Sequence, residues 1–327
     1  MERVLVTGAS GLIGSNLCHK LGELGYDVVG LVRGESNLLG LKGFKGGLIQ
    51  GDILDEGSLL GAMNGADYVF HTAGLVSFDN RRREELMRVN VEGVRNVVEA
   101  ALRSGVKRLV HTSSVAAIGI PSVGDVADES AAYNRFKYRI AYGDSKHYGE
   151  EEIGRGISRG LDAVIVNPGS VMGRRDVYYH SGILLKVLKG MRFVPYVGGG
   201  MCVVGVDELV DGEVSALKQG RRGERYILGS ENITFRKMFE DICGVVGAPP
   251  PSFRVPTWAA RGAAALLELA SNFTGKAPVL TKAHVVSATL PHYFSGEKAE
   301  RELGFKPRPF IEAVRASYSW YLENGLI

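Results

Sequence analysis

Three glycines and a tyrosine–lysine pair carry the chemistry that this 327-residue chain makes most readable. In Val6-Thr7-Gly8-Ala9-Ser10-Gly11-Leu12-Ile13-Gly14, the glycines recur every third residue between an apolar run and a helical pattern. Gly8 allows a tight turn, Gly11 lets the backbone approach a pyrophosphate, and Gly14 permits close packing of helix on strand. With Ser10, Leu12 and Ile13 among them, these residues open a helix whose free N–H groups suit an anion. In Tyr142-Gly-Asp-Ser-Lys146, the four-residue spacing stacks both side chains on one helical face. A ketone that accepts hydride becomes an alkoxide-like oxygen, which needs a positioned proton donor. Tyr142 is the candidate donor. A nearby lysine cation lowers a phenol pKa of about 10 by roughly 1 to 3 units, so Lys146 is expected to bring it close to neutrality. Each motif is weak alone in a chain with 44 glycines; their order and their separation, 128 residues from Gly14 to Tyr142, imply redox chemistry.

The elements that must position these groups are legible as alternating strands and helices. Apolar runs at Arg3–Val6, Asp27–Val32, Asp67–Phe70, Arg108–Val110 and Asp162–Val166 read as strands of a parallel sheet covered on both faces. Helices are expected over Leu12–Leu24, Arg81–Arg103 and Tyr142–Arg159, ending at Gly25, Gly105 and Gly160. After Asn167-Pro168-Gly169 the pattern loosens. Gly198-Gly199-Gly200 and Pro249-Pro250-Pro251 mark loops between shorter elements that are expected to cap a substrate. The expected division is a dinucleotide-binding domain over 1–167, rejoined by about 201–228, and a substrate-binding lobe mainly over 168–327. No flexible linker separates them, so they should pack as one body.

Composition bounds the partners. A net charge of +3 is only mildly basic, and Arg81-Arg82-Arg83 runs straight into Glu84-Glu85, which reads as a solvated helix start and not as a nucleic-acid patch. Cys18, Cys202 and Cys243 are odd in number and lack ligand spacing, so no metal is expected, the chain suits a reducing cytoplasm, and Cys18 and Cys243 are expected to be buried free thiols. His71, His111 and His147 form no metal or Ser-His-Asp pattern and are read as packing residues or as support for the site. The most apolar helical stretch, Trp258–Phe273, holds Arg261 and Glu268 and is shorter than the ~20 residues of a bilayer span. A buried amphipathic helix is preferred there over one lying on a membrane surface.

The glycine spacing combined with Tyr142-x-x-x-Lys146 resembles the extended short-chain dehydrogenase/reductase superfamily, which includes NAD-dependent epimerases and dehydratases. The resemblance spans the chain, through Gly51-Asp52-Ile53-Leu54-Asp55, His71-Thr-Ala-Gly74, Val89-Asn90-Val91-Glu92-Gly93, Thr112-Ser-Ser114, Asn167-Pro168-Gly169 and Glu302–Arg308. It implies a Rossmann-type, doubly wound α/β fold with a smaller C-terminal lobe, and a homodimer through the helices at 81–103 and 142–159. It implies that Asp52 and Ile53 hold the adenine, that Thr72, Ala73 and Gly74 line the middle of the cofactor, and that Pro168, Ser170 and Val171 border the nicotinamide. Asp52 also reads as a simple helix cap near Glu56. Thr112 falls in the same cofactor-lining motif, Lys146 would touch the nicotinamide ribose, and the catalytic Ser/Thr falls on Ser114, with Ser113 the near alternative. Asn90 matches a position that supports the site or a water relay, and equally reads as a helix bend. At the end of the second strand, where an acid favours NAD, stands Arg33; a guanidinium grips the extra phosphate of NADP. NADP is therefore expected, and Glu35 keeps NAD open.

The reaction is narrowed by departures from the superfamily's patterns. Its dehydratases place Asp-Glu after the Thr of the fifth strand, whereas this chain has Ser113-Ser114 and then Val-Ala-Ala. Met191–Tyr196, Trp258 and Ala263–Leu267 suggest a pocket for a hydrophobic ring compound, or simply lobe core. Val76-Ser77-Phe78-Asp79 and the stretch from Asn272-Phe-Thr-Gly275 to Leu280-Thr281 resemble the branch with dihydroflavonol reductases and hydroxysteroid dehydrogenases. The leading expectation is an NADPH-dependent ketoreductase or alcohol dehydrogenase acting on a small-molecule, hydrophobic ring-containing carbonyl substrate, with Tyr142 as proton donor. Arg174, Arg175 and Arg192 could meet a phosphate and keep a nucleotide-sugar epimerase in view. A cofactor-sensing protein without chemistry is a third reading, against which Tyr142 and Lys146 both argue.

Overall fold

The valine, leucine and isoleucine runs become strands because both of their faces are covered, and the sheet they form carries the site at one end. The computed structural model describes residues 1–122, 124–274, 281–289 and 291–327. Its first part comprises β1 (Arg3–Thr7), α1 (Leu12–Glu23), β2 (Asp27–Val32), β3 (Gly47–Gln50), α2 (Glu56–Met63), β4 (Tyr68–His71), α3 (Arg83–Met87), α4 (Gly93–Arg103), β5 (Arg108–Thr112), α5 (Ala141–Ser158) and β6 (Ala163–Pro168). There follow β7 (Ser170–Met172), α6 (Ile183–Lys189), β8 (Val194–Tyr196), β9 (Gly200–Gly205), α7 (Val206–Gln219), β10 (Arg225–Leu228), β11 (Glu231–Thr234), α8 (Phe235–Val246) and β12 (Pro251–Arg254). The chain closes with α9 (Thr257–Thr274), α10 (Lys282–Thr289), β13 (Pro291–His292), α11 (Glu297–Leu303) and α12 (Phe310–Glu323).

Seven parallel strands form the large sheet in the order β10-β6-β5-β4-β1-β2-β3. Helices α1 and α7 cover one face over Val4, Val6, Val110 and Val164, and α2, α4 and α5 cover the other over Leu5, Val69 and Leu109. This is the doubly wound α/β arrangement. The strand β3 escapes sequence reading because all four of its residues are exposed at the sheet edge, with no apolar run to mark them. Between α3 and α4 the chain forms one turn of π-helix, Arg88–Glu92, where an uninterrupted helix was expected.

The return to the large sheet is narrower than the 201–228 expected. Helix α7 and strand β10 join it, but β9 pairs with β7, β11 and β13 in a separate four-stranded sheet. A second buried cluster, around Leu185, Phe235, Ile242 and Phe310, holds this lobe together. Helix α9 departs from the buried amphipathic helix expected of it. Among its described residues Ala260 and Ala264 turn inward, against Val285, and Ser271 is buried, while Trp258 is 78 % and Leu266 69 % exposed. The segment Gly275–Leu280, part of the resemblance to the reductase branch, lies outside the described residues. Among the described residues no helix is long and apolar enough to cross a membrane.

Candidate active site

The strand order reverses between β1 and β4, and ligands of such sheets bind in the crevice beyond the carboxyl ends at that point. The residues leaving those ends are Gly8 and Thr72. Gly8 has a φ of +71°, open to glycine at little cost, and a Cβ there would stand 2.6 Å from Ala73 N. At Gly14 a Cβ would lie 2.2 Å from the Gly8 carbonyl oxygen, so any larger residue drives the helix off the turn. Thr72 Oγ1 donates to Thr7 O at 2.8 Å and locks the two strand ends together. The start of α1 carries no side-chain cap at Gly11, so its N–H groups face the crevice. A dinucleotide pyrophosphate fits this cradle on shape and charge.

The crevice opens into a cavity of about 720 Å³. Its wall includes Gly8, Ser10, Gly11, Leu12, Ile13, Gly14, Arg33, Asp52, Ile53, Thr72, Ala73, Gly74, Ser114, Tyr142, Pro168, Ser170 and Val171, all read from the sequence as site residues. Asp52 is not the cap of α2. Asp55 takes that place, its Oδ1 accepting from Gly57 N at 2.9 Å, while Asp52 Oδ1 accepts from Leu54 N and the residue stays on the cavity wall. Arg33 is exposed and sits 3.3 Å from Glu35, with Ser36 and Arg88 also lining that end. Thr112 and Lys146 stand outside the wall, with Lys146 Nζ donating to Thr112 O at 3.2 Å.

At the other end, Tyr142 and Ser114 line the cavity together, with Ser114 Oγ accepting from Ala116 N at 3.1 Å. Burial lifts the Tyr142 phenol above its ordinary range, and the Ser114 contact opposes that lift. Lys146 is not among the groups that shift the phenol, and its ammonium group donates to the Thr112 carbonyl. Burial brings Lys146 itself down to about 8, against the opposing pull of Glu150. Both serines line the cavity, and the Ser113 hydroxyl donates to Glu150 Oε1 at 2.5 Å. Asn167 Nδ2 bonds the same oxygen at 2.6 Å and the Ser114 carbonyl at 3.0 Å, and Arg225 pairs with Glu150 Oε2 at 2.7 Å. Asn90 sits in the π-turn and fixes the loop after β4, accepting from Leu75 N and donating to Leu75 O and Ser145 Oγ. It thus ties the loop after β4 to Ser145 of α5.

The apolar lining differs from the one expected. Phe193 and Trp258 face outward, Val194 lies in the lobe core, and none of Met191–Tyr196 or Ala263–Leu267 reaches the cavity. Val76, Phe78, Val115, Ile140 and Met201 supply the wall instead, with the Phe78 ring 5.8 Å from that of Tyr142. Arg174 and Arg175 are engaged with Asp207 and Asn16 and stand outside it. Tyr178, His180 and Ser181 close over the groove from a strap in which Arg175 and Tyr179 hold positive φ. No motif in the sequence marked them, since only the fold brings the strap back. Cys202 also lines the cavity, and burial pushes its thiol up to about 12, leaving it neutral. His71 and His111 stack at 5.2 Å beneath the site; burial holds both uncharged, with His71 down to about 3.

Known proteins share this arrangement. The model of the NAD dependent epimerase/dehydratase family matches residues 4–229. A Synechocystis sp. protein provisionally named dihydroflavonol 4-reductase is 34 % identical over 98 % of this chain and 95 % of its own. The sterol demethylase protein B of Methylococcus capsulatus is 30 % identical over 99 % of both. The crystal structure of the protein gox2253 superposes with a TM-score of 0.86, at 33 % identity and full coverage of both chains. The chain belongs to the NAD dependent epimerase/dehydratase family and is an NAD(P)-dependent oxidoreductase of the short-chain dehydrogenase/reductase type.

Proposed function

We propose that this chain is an NADPH-dependent ketoreductase, or alcohol dehydrogenase in reverse, for an apolar ring-containing carbonyl compound. The observation that carries the reading is that Tyr142 and Ser114 stand on the wall of one cavity, which Val76, Phe78, Ile140 and Met201 also line. Similarity to proteins named for dihydroflavonol and sterol chemistry supports a ring substrate. Bound nicotinamide supplies the hydride for the carbonyl carbon. Ser114 donates to the carbonyl oxygen and orients it; Tyr142 then protonates the developing alkoxide. Lys146 contributes positive charge behind both groups and reaches toward the cofactor ribose. Apolar walls exclude water from the reacting oxygen.

Tyr142→Phe removes the only proposed donor while keeping the ring. Ketone reduction at pH 7 should fall by about 10² to 10⁴, with NADPH affinity within threefold of wild type. Undiminished turnover overturns the assignment, and undiminished biological output without turnover supports a cofactor sensor. Net NADPH consumption separates reduction from nucleotide-sugar epimerisation, which regenerates the cofactor in every cycle. The preference for NADPH rests on Arg33, with Ser36 and Arg88 beside it. Arg33→Ala should cost about 1.4 kcal/mol, tenfold, in NADPH affinity and leave NADH unchanged by titration calorimetry. Equal losses for both cofactors remove that role. We place a homodimer on α4 and α5, testable by sedimentation as twice the 35.3 kDa chain mass.

A further inference from the structure

Arg135 is a buried cation on the cavity wall, and among the described residues no carboxylate balances it. It is 3 % exposed, lines the cavity and lies in a short helical turn, Arg135–Tyr138, before α5. Nε donates to Ile118 O at 2.7 Å, Nη2 donates to Val115 O at 2.9 Å, and Nη1 stands 3.3 Å from His292 Nδ1. These contacts use one N–H of each nitrogen, so Nη1 and Nη2 each keep a second. Among the described residues no Asp or Glu forms an ion pair with it. Three other deeply buried charges are paired, Glu150 with Arg225, Asp144 with Arg83 and Glu152 with Arg95, whereas Lys146, Asp176 and Glu213 are held by neutral groups. An unpaired buried ion is unfavourable by several kcal/mol, and burial lowers Arg135 only to about 10, so it stays charged at neutral pH.

The placement of that charge relates it to the reaction. Arg135 clasps the carbonyl of Val115, the residue after Ser114. Its Cδ lies 3.5 Å from the position a Cβ would take on Gly143, the residue after Tyr142. The guanidinium therefore borders the same stretch of wall as the proton donor and the carbonyl-orienting hydroxyl. A planar, doubly donating cation there is complementary to a carboxylate, which it meets through two parallel hydrogen bonds.

We propose that Arg135 is the anion-binding residue of the substrate subsite, and that the carbonyl compound carries a carboxylate on its apolar ring. The proposal rests on the ketoreductase reading and names the substrate class within it. The apolar wall holds the ring; Arg135 fixes which end enters and turns the carbonyl toward Tyr142. Neutral ketones of the same shape enter without that orientation and bind more weakly.

Matched probes test this by titration calorimetry on the NADPH-loaded full-length protein: 1-naphthoate and its neutral isostere 1-naphthamide. Wild type should bind naphthoate at least tenfold more tightly. Arg135→Gln should abolish the preference by weakening naphthoate alone, and Arg135→Lys should retain part of it, with NADPH affinity and melting temperature recording that each variant is folded. If Arg135→Gln does not fold, the wild-type comparison and Arg135→Lys decide the matter. Equal binding of the two probes, no binding of naphthoate, or equal weakening of both by Arg135→Gln overturns the proposal. That failure would leave reduction of neutral ring ketones by NADPH intact, whereas failure of the ketoreductase reading would abolish reduction and leave naphthoate binding in place.

Discussion

Glu150 shows how a residue that never touches substrate can set the chemistry. It lies four residues beyond Lys146 on α5, buried, and gathers Ser113, Asn167 and Arg225 around its two oxygens. Asn167 passes the constraint to the Ser114 carbonyl, so one carboxylate positions the serine loop and supports the charge on Lys146. Glu150→Gln keeps the shape and deletes the charge. Burial already holds Lys146 near 8, and without the opposing carboxylate it falls further. The protonated lysine is the form that assists reduction, so the alkaline limb of the kcat/KM profile should move to lower pH by roughly one unit. Activity near pH 6 should change by less than about threefold. A lower plateau with an unmoved limb would mean that Glu150 is structural only.

At the level of elements, the strap over the groove is tied to the cofactor-binding helix. Asn16, in α1, donates from Nδ2 to Arg174 O at 2.9 Å and accepts at Oδ1 from Arg175 Nη1 at 2.7 Å, while Tyr178 receives the N–H of Asn37. These bonds hold Arg175 and Tyr179 at positive φ, a conformation that costs non-glycine residues about 1 kcal/mol or more each. Asn16→Ala releases the strap and removes the Nδ2 bond to Leu12 O at the start of α1, while the three glycines stay in place. Stopped-flow NADPH fluorescence should show dissociation about tenfold faster with association little changed, as loss of about 1 to 2 kcal/mol of buried hydrogen bonding implies. An unchanged dissociation rate would make the strap a fixed wall. This division also marks what a sequence can disclose. The glycine turn, the Tyr142/Lys146 pair and the buried strands declare themselves through local spacing and periodicity, because their roles depend on neighbours within one element, whereas Ser114 is reached through the family resemblance alone. Arg135, Met201, Tyr178 and His180 reach the cavity only through long-range packing, and Trp258 and Phe193 looked like pocket lining because apolarity alone does not say which way a side chain turns.

On the scale of the whole molecule, the site stands on an ionisable core that links its chemistry to stability. Glu213, on α7 and fully buried, accepts a hydrogen bond from Thr112 Oγ1 at 2.7 Å; its other oxygen has no partner. Thr112 in turn offers its carbonyl to Lys146. Burial raises the Glu213 carboxyl to about 7, with the Thr112 hydroxyl pulling the other way. The folded state therefore binds a proton that the unfolded chain, titrating at 4.5, has already released over the interval between those values. Stability from this group is fully present below about 4.5 and declines as pH rises to about 7, beyond which its contribution is constant. Glu213→Gln cannot ionise and keeps an acceptor for Thr112, so that portion of the decline should vanish. Relative to wild type, the variant should gain on the order of 1 to 3 kcal/mol between pH 5 and pH 8, seen as a melting temperature several degrees less sensitive to pH. Because other titrating groups are common to both proteins, their difference isolates Glu213. Parallel melting curves across that range would mean that the carboxylate is accommodated in charged form, and that the floor of the active site is more polar than its packing indicates.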